Sequence, residues 1–212
     1  MTERELAEST KTKNVVDMAL TFTAMMRVFG KGSKERIAEK FEELCSALNR
    51  IDSRDGYEAL HRSFCKWFVH EIRTAEKTLK NGRVKPSQAA SYGQAAKVLD
   101  IAIKVYAYYC GQPTSAVVQR LLPFLHGAVD TPILEHLKAT YPDAKVMAST
   151  IGEVDKRAYA TLQELVFRNV RESFGSNILP VQFDDIMWRR LSRDRNAPNP
   201  QLNRTRRMRR AG

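Results

Sequence analysis

Apolar residues recur three and four positions apart along most of this chain, and that spacing places them on one face of an α-helix. Residues 34–50 show the pattern most clearly, with apolar side chains at Ile37, Phe41, Leu44, Cys45 and Leu48. A half-buried β-strand requires apolar and polar residues to alternate, and here alternation never continues beyond a few positions. The spacing therefore predicts an all-α protein.

The same spacing predicts five longer helices and several short ones. The longer helices are expected over residues 3–29, 34–50, 57–80, 88–110 and 150–174, and the shorter ones over 115–126, from 131 to the YPDA sequence at 141–144, and over 183–194. The segment 88–110 is apolar on nearly every side, which is typical of a buried helix. We therefore expect residues 1–195 to form a single-domain multi-helix bundle around a buried central helix.

Capping residues indicate where some of these helices begin. Thr131 and Thr150 are expected N-caps, because a side-chain oxygen at that position accepts a hydrogen bond from the first turn. For the central helix, Ser91 followed by Gln94 fits a capping box, and Ser87 is the alternative start.

The positive charge of the chain is concentrated near its C-terminus. Residues 189–212 hold nine arginines, no lysine and one acid, Asp194, and so carry +8 of the formal net charge of +11. The Pro- and Asn-rich stretch 196–201 is expected to be a hinge, so residues 196–212 are interpreted as a basic, Arg-rich tail. The nine arginines are Arg189, Arg190, Arg193, Arg195, Arg204, Arg206, Arg207, Arg209 and Arg210.

This arginine cluster favours binding to phosphate groups, because arginine is always charged and its planar fork matches phosphate oxygens. The first hypothesis is a non-enzymatic nucleic-acid-binding protein that contacts phosphates without reading sequence, alone or as a subunit of a larger assembly. No recognition-helix pattern distinguishes DNA from RNA. A further hypothesis is an assembly subunit whose tail binds an acidic protein partner, and a homo-oligomer is compatible with both.

The sequence RDGYEALH at residues 54–61 resembles the motif of the HEPN ribonucleases, in which an arginine, a polar residue and a histidine follow at short spacing. Members of that family are small α-helical bundles that dimerise so that two such pairs face each other. The resemblance implies a metal-independent endoribonuclease in which Arg54 stabilises the phosphate, with Asp55 beside it, and His61 assists proton transfer. Alternatively, Asp55 and Gly56 form a turn and His61 is a helix residue at the edge of the core.

Four polar residues follow one side of the predicted central helix. Gln94, Lys97, Asp100 and Lys104 lie three, three and four positions apart. Charged groups on an apolar helix must be exposed, paired or at the wall of a cavity, because burying an unpaired charge is costly. We interpret them as a solvent-facing row in which Asp100 pairs with the lysines, and a ligand-contacting cleft is the alternative.

Several kinds of site are not indicated by the sequence. The four histidines lack the spacing of a zinc site, and there is no phosphate-binding loop or dinucleotide-binding motif, so we expect no metal and no cofactor. The three cysteines lack CxxC spacing and are expected to be reduced thiols. Because neither a signal peptide nor an apolar run of roughly 20 residues is present, we expect a cytoplasmic protein with no membrane partner.

Overall fold

The protein is all-α, as predicted. The structure is a computed structural model that describes residues 2–196, with the backbone alone at residues 192 and 194–196. Within this range eight helices pack into one bundle: α1 (Glu3–Phe22), α2 (Ser33–Leu48), α3 (Arg54–Glu71), α4 (Tyr92–Ile103), α5 (Ser115–Leu121), α6 (Thr131–Thr140), α7 (Lys156–Phe174) and α8 (Pro180–Asn196). Two strands of two residues each, β1 (Lys77–Thr78) and β2 (Val84–Lys85), pair antiparallel.

Helix α4 lies at the centre of the bundle, which confirms the prediction of a buried central helix. It contacts α1, α3 and α7. Its alanines, such as Ala95 and Ala102, are fully buried and let these neighbours approach closely, while Leu99 and Ile103 fill the remaining space. After α4 the chain continues as a π-helical segment, Lys104–Tyr109, which widens the last turns of the central helix.

The start of α4 also agrees with the prediction. Oγ of Ser91 accepts a hydrogen bond from the backbone N of Gln94 at 3.1 Å, and Oε1 of Gln94 accepts one from the backbone N of Ser91 at 2.9 Å. The hydroxyl of Ser91 in turn donates to the backbone O of Ile151 at 3.1 Å, so the cap also ties α4 to the segment before α7. Ser91, and not Ser87, is therefore the N-cap.

Helices α2 and α3 each bury one face. All five apolar residues predicted for α2 are buried. In α3, Phe64 and Phe68 are buried, and the ring of Phe68 packs edge-on against Phe29 with centroids 5.2 Å apart. Each such side chain stabilises the fold by about 1.5–3 kcal/mol through removal of apolar area from water, so this packing determines which face of each helix is inside.

Helix α1 ends at Phe22, whereas the spacing predicted a helix to residue 29. Thr23 has an extended backbone, and its side-chain oxygen accepts a hydrogen bond from the backbone N of Met25 at 3.3 Å. A short 3₁₀ turn, Ala24–Val28, follows. The threonine stops the α-helix because its hydroxyl offers the backbone an alternative hydrogen bond.

Helix α3 ends at Glu71, whereas a helix to residue 80 was predicted. From Ile72 the chain is extended and pairs with a later segment: the backbone N of Thr74 donates to Gln88 at 2.8 Å, and that of Ala90 donates to Ile72 at 2.9 Å. These backbone hydrogen bonds to a distant segment hold the chain extended after residue 71, although the spacing of its apolar residues is helical.

The hairpin formed by β1 and β2 was not predicted. Gly82 turns the chain with a φ of 78°, a conformation that glycine adopts without strain. Leu79, which a helix to residue 80 would turn toward the core, is 38% exposed. The hairpin lies at the surface, so its residues give no burial pattern that a sequence could reveal.

Aspartates cap two helices where threonines were expected. Asp130, and not Thr131, caps α6, and its Oδ1 accepts a hydrogen bond from the first turn at 3.0 Å. Asp155 caps α7 in the same way at 2.7 Å, whereas Thr150 precedes a short 3₁₀ turn. A carboxylate is favoured at these positions because it also interacts with the positive end of the helix dipole.

The predicted basic tail lies almost wholly outside the described residues. Helix α8 runs to Asn196, so the backbone of the described chain stops where the predicted hinge at 196–201 begins. None of the helices within residues 2–196 combines the length and apolar character needed to cross a bilayer.

Candidate active site

One face of α3 carries a row of polar side chains. Ser53 caps the helix by accepting a backbone hydrogen bond on its Oγ at 3.3 Å, so α3 begins at Arg54. Glu58 and His61 follow four and seven positions later and therefore lie on the same side of the helix as Arg54. Both contact residues brought from distant parts of the chain.

The phenol oxygen of Tyr159, on α7, lies at the centre of a buried group of polar side chains. It is 2.8 Å from Oδ2 of Asp100, 2.8 Å from Nδ1 of His126 and 3.1 Å from Nε2 of His61. All four side chains are buried. We name His61, Asp100, His126 and Tyr159 the buried cluster; α3, α4, the segment 125–130 and α7 each contribute one of its members.

His61 is bonded within the protein at both ring nitrogens. Its Nε2 lies 3.0 Å from Oδ1 of Asp100, and its Nδ1 lies 3.7 Å from Sγ of Cys65. Burial raises the pKa of the Cys65 thiol, so this thiol stays protonated and acts as a weak donor. Only 1% of His61 is exposed, so it is a buried histidine rather than one at the edge of the core.

His126 connects the buried cluster to the surface. While its Nδ1 faces Tyr159, its Nε2 lies 2.8 Å from Oε1 of Glu58. The hydrogen bond from His126 is the main reason that the pKa of Glu58 is lowered, and it outweighs the opposing effect of partial burial. Arg62 lies 3.9 Å from the other carboxylate oxygen of Glu58. Glu58 is therefore ionised at neutral pH.

The position of His126 depends on tertiary contacts of the residue next to it. Gln163, on α7, donates to the backbone O of Gly127 at 2.9 Å and accepts from its backbone N at 3.2 Å. A Cβ at Gly127 would lie 2.6 Å from the backbone O of Pro180, so only glycine fits there without a shift. Helices α7 and α8 together thus hold the histidine against α3.

A cavity of about 560 Å³ opens beside α3 and α7, and we name it the α3–α7 cavity. Glu58, His126 and Tyr159 line it, so it reaches the buried cluster. It is also lined by three cations, Arg54, Arg62 and Lys156, and by Glu164. Arg54 is held in place by a hydrogen bond from its Nη2 to the backbone O of Pro123 at 2.7 Å.

The α3–α7 cavity combines groups with complementary chemistry. Its arginines and lysine are the side chains that proteins use to bind phosphate, and the ionised Glu58 can accept a proton from a bound molecule. Burial, followed by the negative charge of Asp100, raises the pKa of Tyr159, which therefore stays protonated and donates to its neighbours. Perturbed acids and bases at an opening are typical of a catalytic site.

Of the two residues singled out by the resemblance to HEPN ribonucleases, Arg54 is accessible and His61 is buried. Arg54 lines the α3–α7 cavity, whereas His61 lies behind Tyr159 and does not line it. Glu58 and His126 line the same cavity as Arg54, and sequence reasoning missed both. The i, i+4 spacing of Arg54 and Glu58 offered a signal for the first, but nothing in the sequence links His126 or Tyr159 to α3.

Two of the four polar residues on α4 are buried, so the interpretation of a solvent-facing row was wrong. Asp100 is 2% exposed and joins the buried cluster, and Lys104 is 2% exposed and pairs with Asp184 and Asp185 of α8. Asp100 therefore pairs with His61, and Lys104 pairs with α8, instead of the two pairing with each other along α4. Helices α7 and α8 supply the polar partners that let these charges be buried.

The alternative interpretation, a cleft, is met by only part of the row. Lys97 and Lys104 line a second cavity, of about 670 Å³, together with Asp130 and Asp184. Burial lowers the pKa of Lys97. Gln94 instead serves as the capping-box residue of α4, so the four residues end up in three different environments.

Three of the nine C-terminal arginines fall within the described side chains. Arg189, Arg190 and Arg193 are exposed on α8, and the guanidinium of Arg190 lies 4.7 Å from the ring centre of Phe174. The other six, Arg195, Arg204, Arg206, Arg207, Arg209 and Arg210, lie outside the described side chains.

The cysteines are free thiols, as predicted: Cys45 and Cys65 are buried and Cys110 is partly exposed.

The sequence suggested no metal site, but the fold brings ligand atoms of His61, Asp100 and His126 within 4.8 Å of one another. Among the described residues, this is the group that could hold a metal ion.

No family model, no curated protein and no solved structure matches this chain.

Proposed function

We propose that the protein binds RNA and cleaves its phosphodiester backbone in the α3–α7 cavity. The observation that carries this proposal is the convergence of an ionised Glu58 with three cations, Arg54, Arg62 and Lys156, around one opening. This assignment keeps the reaction implied by the resemblance and the role of Arg54, but it replaces His61 by groups that line the cavity.

The cations would hold the phosphate and neutralise charge that develops on its oxygens. Arginine suits this task because its fork makes two parallel hydrogen bonds to phosphate. Arg54 is already oriented by its bond to Pro123, so it loses little freedom when a ligand binds. Electrostatic stabilisation of this kind is usually the largest single contribution to such catalysis.

Glu58 would act as the base. Its carboxylate takes the proton of the 2′-hydroxyl, the 2′-oxygen forms a bond to phosphorus, and the bond from phosphorus to the 5′-oxygen breaks; the 5′-oxygen takes up a proton from water. His126 acts as a positioning residue, because its Nε2 orients the carboxylate at 2.8 Å and keeps it ionised. A proton acceptor of this kind accelerates a reaction typically by about 10²–10⁴-fold.

The test is the rate of cleavage of a labelled RNA by the full chain, without added metal. Glu58→Gln should slow cleavage by at least about 10²-fold, whereas Glu164→Gln, a matched change in the same cavity, should leave the rate within a few-fold. A DNA of the same sequence should survive because it lacks the 2′-hydroxyl. Equal rates for the two variants, or intact RNA with the wild type, contradict the proposal.

A second candidate is binding of nucleic acid without catalysis, through the arginine-rich C-terminal region. It is favoured by the exposure of Arg189, Arg190 and Arg193 on α8, which precede five more arginines within residues 204–210. Phosphate contacts release counterions, so affinity for DNA or RNA should fall steeply with salt.

This candidate is tested by fluorescence anisotropy between 50 and 200 mM salt, roughly the range in which such binding changes most. Replacing the three α8 arginines by glutamine should weaken binding and flatten its salt dependence by up to about 0.7–0.9 in slope for each lost contact. The matched control replaces three exposed cations of α1, Arg4, Lys11 and Lys13. If control and test variants bind alike, these arginines are not the binding surface.

Absence of any nucleic-acid binding at low salt would leave the third hypothesis, an assembly subunit that binds an acidic protein. Co-purified nucleic acid, seen as a raised ratio of absorbance at about 260 to 280 nm, would argue against that reading. All three hypotheses place the protein in the cytoplasm, where thiols such as that of Cys110 stay reduced.

A further inference from the structure

The buried cluster brings four ligand-type atoms around one point. The phenol oxygen of Tyr159 is 2.8 Å from Nδ1 of His126 and 2.8 Å from Oδ2 of Asp100, and its single proton can serve only one of them. Ligand atoms of His61, Asp100 and His126 also lie within 4.8 Å of one another.

The same cluster contains a carboxylate with no permanent cation beside it. Asp100 is 2% exposed, and its partners are His61 and Tyr159, with Nδ1 of His126 at 3.9 Å from its Oδ1. A buried carboxylate is costly unless a positive charge balances it. The convergence of these ligand atoms and the unbalanced carboxylate both indicate that one cation completes this site.

Each histidine presents one ring nitrogen to the buried cluster, and His126 is oriented as metal ligands usually are. In metal sites one ring nitrogen faces the ion and the other is hydrogen-bonded to a carboxylate or a similar partner. His126 presents Nδ1 to the cluster and its Nε2 to Glu58. His61 presents Nε2 to the cluster and Nδ1 to Sγ of Cys65. When the ring proton moves to Nδ1, the sulfur becomes the weak acceptor instead of the donor, and Nε2 is free to coordinate.

The distances within the cluster suit a small four-coordinate ion. Zinc with bonds of about 2.0–2.1 Å to nitrogen and oxygen separates tetrahedral ligand atoms by about 3.3–3.4 Å. Here the contacts of Tyr159 with its three neighbours are 2.8–3.1 Å, His61 and Asp100 are 3.0 Å apart, and His126 and Asp100 are 3.9 Å apart. The ligand atoms of His61, Asp100 and His126 all lie within 4.8 Å of one another, so side-chain shifts can bring them around one ion.

Access to the cluster exists as well. His126 and Tyr159 line the α3–α7 cavity, so an ion can reach them from the surface. The four ligands come from three helices and one loop of a helical bundle, and bundle cores commonly hold metals on facing helices.

We propose that Nε2 of His61, a carboxylate oxygen of Asp100, Nδ1 of His126 and the phenol oxygen of Tyr159 bind one divalent transition-metal ion of the zinc class. Two imidazoles select such an ion over Mg²⁺ or Ca²⁺, which prefer oxygen ligands only. On binding, Tyr159 gives up its proton to solvent, and Glu58 holds His126 in place without touching the metal. This site does not depend on RNA cleavage.

The test is titration of the full chain, first stripped of metal by chelator and dialysis, with Zn²⁺ and with Co²⁺. The wild type should bind one ion per chain, gain thermal stability and show the intense visible absorption of tetrahedral Co²⁺. Asp100→Asn and Tyr159→Phe should each weaken binding at least tenfold. His70→Ala and His136→Ala change histidines outside the cluster and should bind as the wild type does.

A variant that leaves the ligands intact adds a second readout. Glu58→Gln should weaken metal affinity by about 10–100-fold, the usual effect of removing the partner of a ligating histidine. This half-buried position tolerates the change better than the cluster itself, and circular dichroism checks that the variant folds.

The proposal is overturned if the wild type takes up no stoichiometric ion, since that measurement needs no variant. It is also overturned if Asp100→Asn binds Co²⁺ as the wild type does, or if ¹⁵N spectra of the Zn²⁺-treated protein show His126 protonated on both nitrogens. In that last case a proton, and not a metal, completes the cluster. Metal uptake without RNA cleavage would reject the proposed function and keep the metal site.

Discussion

Nε2 of His126 donates a hydrogen bond to Oε1 of Glu58 across 2.8 Å, and this contact joins a surface cavity to a buried group of polar side chains. The two residues are 68 positions apart in the chain. Glu58 faces the cations of the cavity, whereas His126 faces Tyr159 inside the bundle. A substitution at Glu58 should therefore alter the buried cluster, and a substitution in the cluster should alter Glu58. We derive four predictions from this contact and from other contacts of the core.

The first prediction concerns the pH dependence of stability at Glu58. Its pKa in the folded protein lies below the ordinary value of 4.5, mainly because His126 donates to it. An acid with a lowered pKa stabilises the fold above its unfolded pKa and loses that contribution as pH falls through the folded value. The free energy of unfolding of the wild type should therefore exceed that of Glu58→Gln at pH 7, and the difference should shrink below about pH 4.5.

Urea denaturation from pH 7 to pH 3 measures this difference. Glu164→Gln serves as the control, since Glu164 lines the same cavity but has no hydrogen bond to His126. A difference between wild type and Glu58→Gln that stays constant with pH would contradict the role given to this hydrogen bond.

The second prediction concerns the hydroxyl of Tyr159. Tyr159→Phe leaves the ring in place and removes the oxygen that contacts His61, Asp100 and His126. Because it leaves buried polar atoms without a partner, we expect a loss of about 1–3 kcal/mol in the free energy of unfolding. Tyr109→Phe, whose hydroxyl bonds Asp185 at an exposed site, should cost less than about 1 kcal/mol. Chemical denaturation measures both variants, and equal losses in the free energy of unfolding would contradict a larger contribution from the Tyr159 hydroxyl.

The third prediction concerns the packing of α4. A Cβ at Gly93 would lie 2.5 Å from the backbone O of Ile151 and 2.6 Å from Cβ of Val154, so α4 could not approach this segment as closely. Gly93→Ala should therefore destabilise the fold by about 1–3 kcal/mol. At Gly152 the nearest atom would be 3.7 Å away, and Gly152→Ala should be nearly neutral. Thermal denaturation of both variants measures this difference. Equal stability of Gly93→Ala and Gly152→Ala would contradict the close approach of α4 to the segment 151–154.

The fourth prediction concerns Asp184 on α8. Burial raises its pKa to about 6, although Lys104 opposes this shift. An acid with a raised folded pKa stabilises the fold below its unfolded pKa, 3.8, and this contribution is lost as pH rises through about 6. The contribution of Asp184 to stability should therefore decline between these pH values, and subtracting the Asp184→Asn profile from that of the wild type should isolate this decline.

Denaturation at closely spaced pH values tests this, with Asp185→Asn as the control that keeps the contact between Lys104 and Asp184. An unchanged pH profile in Asp184→Asn would show that this carboxyl group is not the one that titrates.

Local patterns in the sequence were sufficient to predict most of the helical architecture. The spacing of Ile37, Phe41 and Leu44 predicts the buried face of α2, because a helix brings residues three and four apart to one side. Ser91 and Gln94 mark the start of α4, because a capping box needs only residues within one turn. These features depend on neighbours in the chain, which a sequence displays directly.

Errors arose where distant residues supplied the decisive contact. The extended segment after Glu71 is held by backbone bonds to residues near Gln88, and no helical spacing reveals a partner that far away. Asp100 was interpreted as exposed because its binding partners are 39 and 59 positions away, in α3 and α7.

The sequence alone thus determined an all-α chain with its central helix and its basic C-terminal region. Only the tertiary structure decided that His61, Asp100, His126 and Tyr159 meet at one point and that Glu58 carries their contact to a cavity. The physical reason is that helix formation follows from periodicity over a few residues, whereas a polar cluster forms by packing several helices together, and the energy that orients it comes from residues spread over a hundred positions.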